Sequence, residues 1–184
     1  MERGRKGEVI LGITASIAAY KGLEIVRLLR KEGYEVKVVL TPDAKQFVSP
    51  LAAEVLSQNK VYSEFFISQT VPVHVELADA DLVLVAPASY DFINKVAAGI
   101  ADNVLLATVA TTRAPVVLAP AMEERLWENK VLQENIRKLS EVMGYKIIEP
   151  EEGELASGKI GKGRMRNPEK IVKFVEEILD KKKV

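Results

Sequence analysis

The 184-residue sequence predicts an α/β fold, a parallel β-sheet covered by helices on both faces. Strand-length apolar runs such as "ADLVLVAPAS" (80–89) and "APVVLAPAM" (114–122) lack polar alternation, so both of their faces need cover. Between these runs lie stretches whose apolar residues recur at helical spacing. Small and hydroxylated residues recur where strands hand over to helices, which in such sheets is where ligands bind.

In chain order, "EVILGIT" (8–14) reads as a first strand. "IAAYKGLEIVRLLRKEG" (17–33) reads as a helix that stops at Gly33. "YEVKVVLT" (34–41) is a strand and "SPLAAEVLSQ" (49–58) a helix. After the strand at 80–89, "DFINKVAAGIADNVLLATVATT" (91–112) is mostly helix, broken near Gly99. The strand at 114–122 precedes a helical stretch, 124–143, and "YKIIEP" (145–150) is a short last strand. "GELASGKIGKGRM" (153–165) follows as a glycine-dense loop, where backbone must bend tightly, move, or lie against something. "NPEKIVKFVEEILDKK" (167–182) closes the chain as a helix.

Length and a 48% apolar content suit one domain, taken as residues 1–184. Lys+Arg and Asp+Glu balance at 26 each, so no global field favours nucleic acid or a membrane as partner. There is no cysteine, which excludes disulfides and thiolate metal sites and fits a cytoplasmic protein. No metal site is expected. The start "MERGRKGEVILGITASIAAY" imitates a signal peptide, yet its apolar stretch divides into a strand and an amphipathic helix. The final "DKKKV" reads as a solvated helix end.

The candidate site follows from the strand ends: Thr14, Ala15 and Ser16; the turn from Thr41; Ser89 to Asp91; and Ala121 with Met122. Hydroxylated turns ahead of helix N-termini suit an anion, because free N–H groups and the helix dipole face it. Ordinary N-capping explains any one such turn; three together favour a phosphate-bearing ligand. Neither a Walker P-loop nor the Rossmann glycine spacing is present.

Together "GITASIAAYK", "TPDAKQFVSPLAAEVLS", "HVELADADLVLVAPAS", "KVAAGIADNVL", "PVVLAPAM" and "GELASGKIGKGRM" resemble, in order, the homo-oligomeric flavin-containing cysteine decarboxylases. That family includes the phosphopantothenoylcysteine decarboxylases of coenzyme A biosynthesis. The resemblance spans residues 7 to 178. It implies a flavodoxin-like doubly wound sheet (a Rossmann-type three-layer sandwich) that binds FMN and assembles as trimers or multiples of three. By resemblance the Thr14–Ser16 turn meets the FMN phosphate, Thr41 and Phe47 flank the cofactor, and Ser89, Tyr90, Asp91 and Phe92 line it. Ala121 and Met122 lie near the isoalloxazine ring, and His74, the sole histidine, falls on the catalytic histidine. The residues at 91–111 pack about the threefold axis, and the glycine-dense loop is a flap closing over the substrate.

Three positions depart from the family pattern. Ser157 replaces the cysteine of an Ala-Cys-Gly step that donates a proton; a thiol titrates near ~8.5 and a hydroxyl ionises far less readily. Glu123 replaces the asparagine of Pro-X-Met-Asn, setting a carboxylate where the substrate carboxylate binds unless it is protonated, turned away or paired with Arg125 or Arg164. Asp91 replaces an asparagine along the cofactor. Two functions therefore compete: FMN-dependent decarboxylation of a phosphorylated cysteine conjugate, and a flavin-binding protein with another substrate, redox role or partner-subunit role.

Overall fold

The computed structural model describes residues 6–65 and 70–181; the basic N-terminal start and the last three residues of the closing basic run lie outside them. Five parallel strands form the central sheet: β1 (Glu8–Ile13), β2 (Glu35–Leu40), β3 (Leu82–Ala88), β4 (Val116–Pro120) and β5 (Lys146–Ile147), in the order β2-β1-β3-β4-β5. The order reverses between β1 and β3, which places the topological switch point there.

The covering helices are α1 (Tyr20–Lys31), α2 (Pro50–Ser57), α3 (Val73–Ala78), α4 (Tyr90–Ala97), α5 (Val104–Thr111), α6 (Glu124–Trp127), α7 (Lys130–Arg137) and α8 (Pro168–Lys181). Alternate residues of the strands feed two separate cores. Val9, Leu11, Val38, Leu84 and Val117 pack with Ile25 and Leu29 of α1 and Val175 of α8. Ile10, Val83, Val85 and Leu118 pack on the other face with Leu77 of α3, Phe92 of α4, Leu105 of α5 and Leu132 of α7. Every residue of β3 is buried, as its unbroken apolar run requires.

Two expectations need correction, and one helix is added to them. The stretch 124–143 is not one helix: the Asn129 side chain accepts the N–H groups of Val131 and Leu132, caps α7 and separates it from α6, and α7 ends in a π-type turn at Lys138–Val142. The residues around His74 form α3, six residues long, with Val73 and Leu77 buried. The glycine-dense segment is an antiparallel hairpin of β6 (Glu151–Glu154) and β7 (Ile160–Arg164). In α5, Val104 to Val109 are all buried within the chain's own core.

Candidate active site

At the switch point, the turns after β1, β2, β3 and β4 surround a cavity of about 570 Å³. Its walls include Thr14, Ala15, Ser16, Thr41, Ser89, Tyr90, Asp91, Phe92, Ala121 and Met122, ten of the eleven positions expected to touch a cofactor. Phe47 is the exception. It caps the 3-10 turn Pro42–Gln46 that follows Thr41 and lies outside the cavity wall, 44% exposed.

Thr14 is fully buried, and its hydroxyl is occupied within the protein. It donates to the Pro87 carbonyl at 2.8 Å and accepts the Ser89 N–H at 2.9 Å. One side chain thereby ties the turn after β1 to the turn after β3. Ser16 and Ser89 act as N-caps, accepting from the N–H groups of Ala18 and Phe92, both at 3.2 Å. Capping and ligand binding do not exclude each other here, because a cap satisfies one of the several free N–H groups at a helix start.

The opposite wall carries charge that the sequence reading passed over. Lys95 lies 3.0 Å from Asp102 and 3.2 Å from Asp91, one helical turn before it. The two carboxylates, Asp102 foremost, raise the Lys95 ammonium above its ordinary pKa. The carboxylate at position 91 is therefore paired. The four-residue spacing was a visible signal for this contact.

A second cavity, about 490 Å³, lies beneath the hairpin and shares Ser16, Ala121 and Met122 with the first. Glu123, Glu154, Ser157, Lys21 and Arg164 line it. Glu123 caps α6: its carboxylate accepts the backbone N–H of Arg125 at 2.7 Å. Of the arrangements open to it, this side chain turns to the helix start. Ser157 occupies the exposed hairpin tip. Burial first, and then the nearby Arg164 guanidinium, lower the Lys21 ammonium below its ordinary pKa.

His74 lines neither cavity. It sits half-buried on α3, edge-on to Phe65 with ring centroids 6.0 Å apart. Among the described residues, no group of three or more acidic or histidine side chains is arranged to hold a metal ion, and no helix is long and apolar enough to cross a membrane.

The flavoprotein family model matches residues 1–180. A probable phosphopantothenoylcysteine decarboxylase from Streptococcus mutans is 40% identical over 177 residues, covering 94% of this chain and 98% of that protein. The chain belongs to the flavoprotein family of phosphopantothenoylcysteine decarboxylases. The coenzyme A biosynthesis bifunctional protein CoaBC of Haemophilus influenzae is 41% identical over 95% of the chain, which spans only 44% of that protein's length. Among solved structures, a cysteine-to-serine mutant of PPC decarboxylase complexed with pantothenoylaminoethenethiol superposes with TM-score 0.86 at 29% identity, covering 96% of this chain and all of that one. The FMN binding protein AtHal3 gives 0.81 at 29% identity, covering 94% of this chain and 96% of that one. The shared fold is the α/β sandwich described above.

Proposed function

We propose that this chain binds FMN in the switch-point cavity and decarboxylates 4'-phosphopantothenoyl-cysteine, or a related phosphorylated cysteine conjugate, in the adjoining one. The observation that carries the reading is the meeting of the two cavities at Ser16, Ala121 and Met122, beneath a hairpin bearing Ser157 and Arg164. A cofactor and a substrate held in these cavities share one boundary.

The residues fit FMN. Tyr90 and Asp91 line the cavity and, as the first residues of α4, have N–H groups with no intrahelical carbonyl to meet. The Thr14–Ser16 turn adds a second N-terminal edge, and Thr41 a hydroxyl. When bound, the flavin supplies two-electron oxidation of the substrate's cysteine side chain, which allows the charge left by departing CO2 to delocalise onto sulfur. The chain's own residues bind and orient. Lys21 and Arg164 offer two cations to the phosphate and carboxylate of such a substrate, and the partly buried Lys21 gains most from an anionic partner. Glu123 accepts the Arg125 N–H at the start of α6, so one of its carboxylate oxygens is engaged by the backbone and turned toward the helix.

Ser157 bears on the product. The related PPC decarboxylase with serine in place of a cysteine is complexed with an enethiol. With a hydroxyl at the hairpin tip, the expected product here is the oxidised enethiol, with little of the reduced thiol.

His74 and Phe47 belong to this site if a neighbouring copy completes it. Exposed apolar residues support self-association as a trimer or a multiple of three: Leu51 and Val55, one turn apart on α2, are 68% and 67% exposed, and Val75 on α3 is 38% exposed. A single domain working in the cytoplasm on a soluble metabolite is consistent with the balanced charge and the absence of cysteine.

The test is purification followed by assay. Bound flavin, CO2 release from the cysteine conjugate and a threefold mass by light scattering are expected. Protein that takes up no FMN on titration overturns the reading; FMN binding without CO2 release favours the flavoprotein with another role.

A further inference from the structure

In β7, Gly161 and Gly163 face inward while Ile160, Lys162 and Arg164 face out. A Cβ at Gly161 would lie 2.7 Å from the Glu124 carboxylate, and one at Gly163 would lie 2.1 Å from the Met122 carbonyl oxygen. These glycines exist for close approach. The approach is bonded: the Lys162 N–H donates to Glu124 Oε1 at 3.0 Å, and the Met122 N–H donates to the Gly163 carbonyl at 3.0 Å. The Lys162 ammonium extends over the Trp127 ring, 5.7 Å from its centroid, and meets the Glu149 carboxylate at 2.7 Å. At the tip, by contrast, residues 156–160 are exposed and Gly158 takes φ +77° with nothing near it.

We infer that Glu124 is a positioning residue, a latch that fixes the stem of the hairpin to α6 and confines its movement to the tip, residues 155–160. This rests on the proposed substrate cavity beneath the hairpin. Glu124 lines neither cavity, yet it adjoins Glu123 and Met122, which do. Holding β7 by the carboxylate sets the height of Arg164 and Ser157 over the substrate while leaving Ser157 on the part that closes. The latch needs an acceptor oxygen, not a charge, since its partner is a backbone N–H.

Two variants and a second glycine test it. Glu124→Ala removes the acceptor and is expected to raise KM about fivefold, the equivalent of one hydrogen bond, with kcat changed less. FMN affinity should hold, and the Lys162 amide should lose hydrogen-exchange protection. Glu124→Gln keeps an acceptor oxygen and should restore both KM and protection. Gly161→Ala should loosen the hairpin in the parent but add little in the Glu124→Ala background, because the atom it meets is gone. Exchange is read on the flavin-loaded protein without substrate, so inactivity of the parent leaves this arm intact. Glu124→Gln behaving like Glu124→Ala, or a Lys162 amide equally protected in all variants, overturns the latch.

Discussion

Gly163→Ala is the perturbation that the geometry constrains most tightly. The added methyl would stand 2.1 Å from the Met122 carbonyl oxygen, whereas ordinary contact begins near 3.4 Å, so β7 must retreat by about 1.3 Å. The obstacle is backbone and cannot rotate aside. Such a retreat breaks the bond from the Met122 N–H to the Gly163 carbonyl and strains that from the Lys162 N–H to Glu124, both 3.0 Å long. Overpacking costs about 1–3 kcal/mol and each weakened hydrogen bond about 0.5–1.5, which together suggest about 3 kcal/mol. For a chain of this size that lowers Tm by about 6–12 °C if hairpin and sheet melt together. Gly158→Ala is the control: it faces open space, and its left-handed backbone costs an alanine only about 1 kcal/mol. Thermal melts followed by circular dichroism, with limited proteolysis of residues 153–165, separate the two. The hairpin of Gly163→Ala should also be cut faster, and FMN should bind more weakly because Met122 borders the cavity proposed for it. A Gly163→Ala protein that melts with the parent and keeps its hairpin protected would refute the close packing of β7 on the Met122 backbone ahead of α6.

Thr14→Val removes a buried hydroxyl that bridges two turns, so Tm should fall by several degrees and FMN affinity with it; unchanged values for both would mean the bridge contributes nothing. The Tyr34 hydroxyl is buried without a hydrogen-bond partner among the described residues, and burial pushes its pKa up to about 12. Its folded pKa is thus raised above the unfolded value near ~10, so its contribution is complete below that value and is lost as pH rises through about 12. Denaturant titrations should therefore find Tyr34→Phe no less stable at neutral pH, and losing less stability than the parent between about pH 10 and 12. Parallel pH curves for the two proteins would contradict this. Restoring Ser157→Cys together with Glu123→Asn should raise the reduced thiol as a share of product, read by mass spectrometry. No CO2 release from either the parent or the double variant, with FMN bound and the oligomer intact, would favour a non-decarboxylase role.

What could be read from residues alone follows from where the stabilising contacts lie. Runs such as 80–89 and 114–122 announce buried parallel strands because burial on both faces is written into every position. α3 was not visible: in six residues only Val73, Leu77 and Ala78 are buried, too few to establish a period. The hairpin was hidden for another reason. Its glycines and charges are poor strand formers, and what holds β7 is α6, some forty residues earlier in the chain. The site shows the same division. The strand-end turns are local and ten of eleven positions meet at one cavity, whereas His74 and Phe47 lie outside its walls. Glu123 is the instructive case. Its identity implied repulsion from a substrate carboxylate, but the sign of that effect depends on what the side chain faces. Placed as the cap of α6, it accepts a backbone N–H that an asparagine oxygen in the same place is equally able to accept. The family amide and this carboxylate can both cap the helix; toward the cavity they differ in charge, in length and in the N–H donors that only the amide offers. Any functional difference between them must therefore appear in substrate binding and its dependence on ionic strength, with the fold left alone.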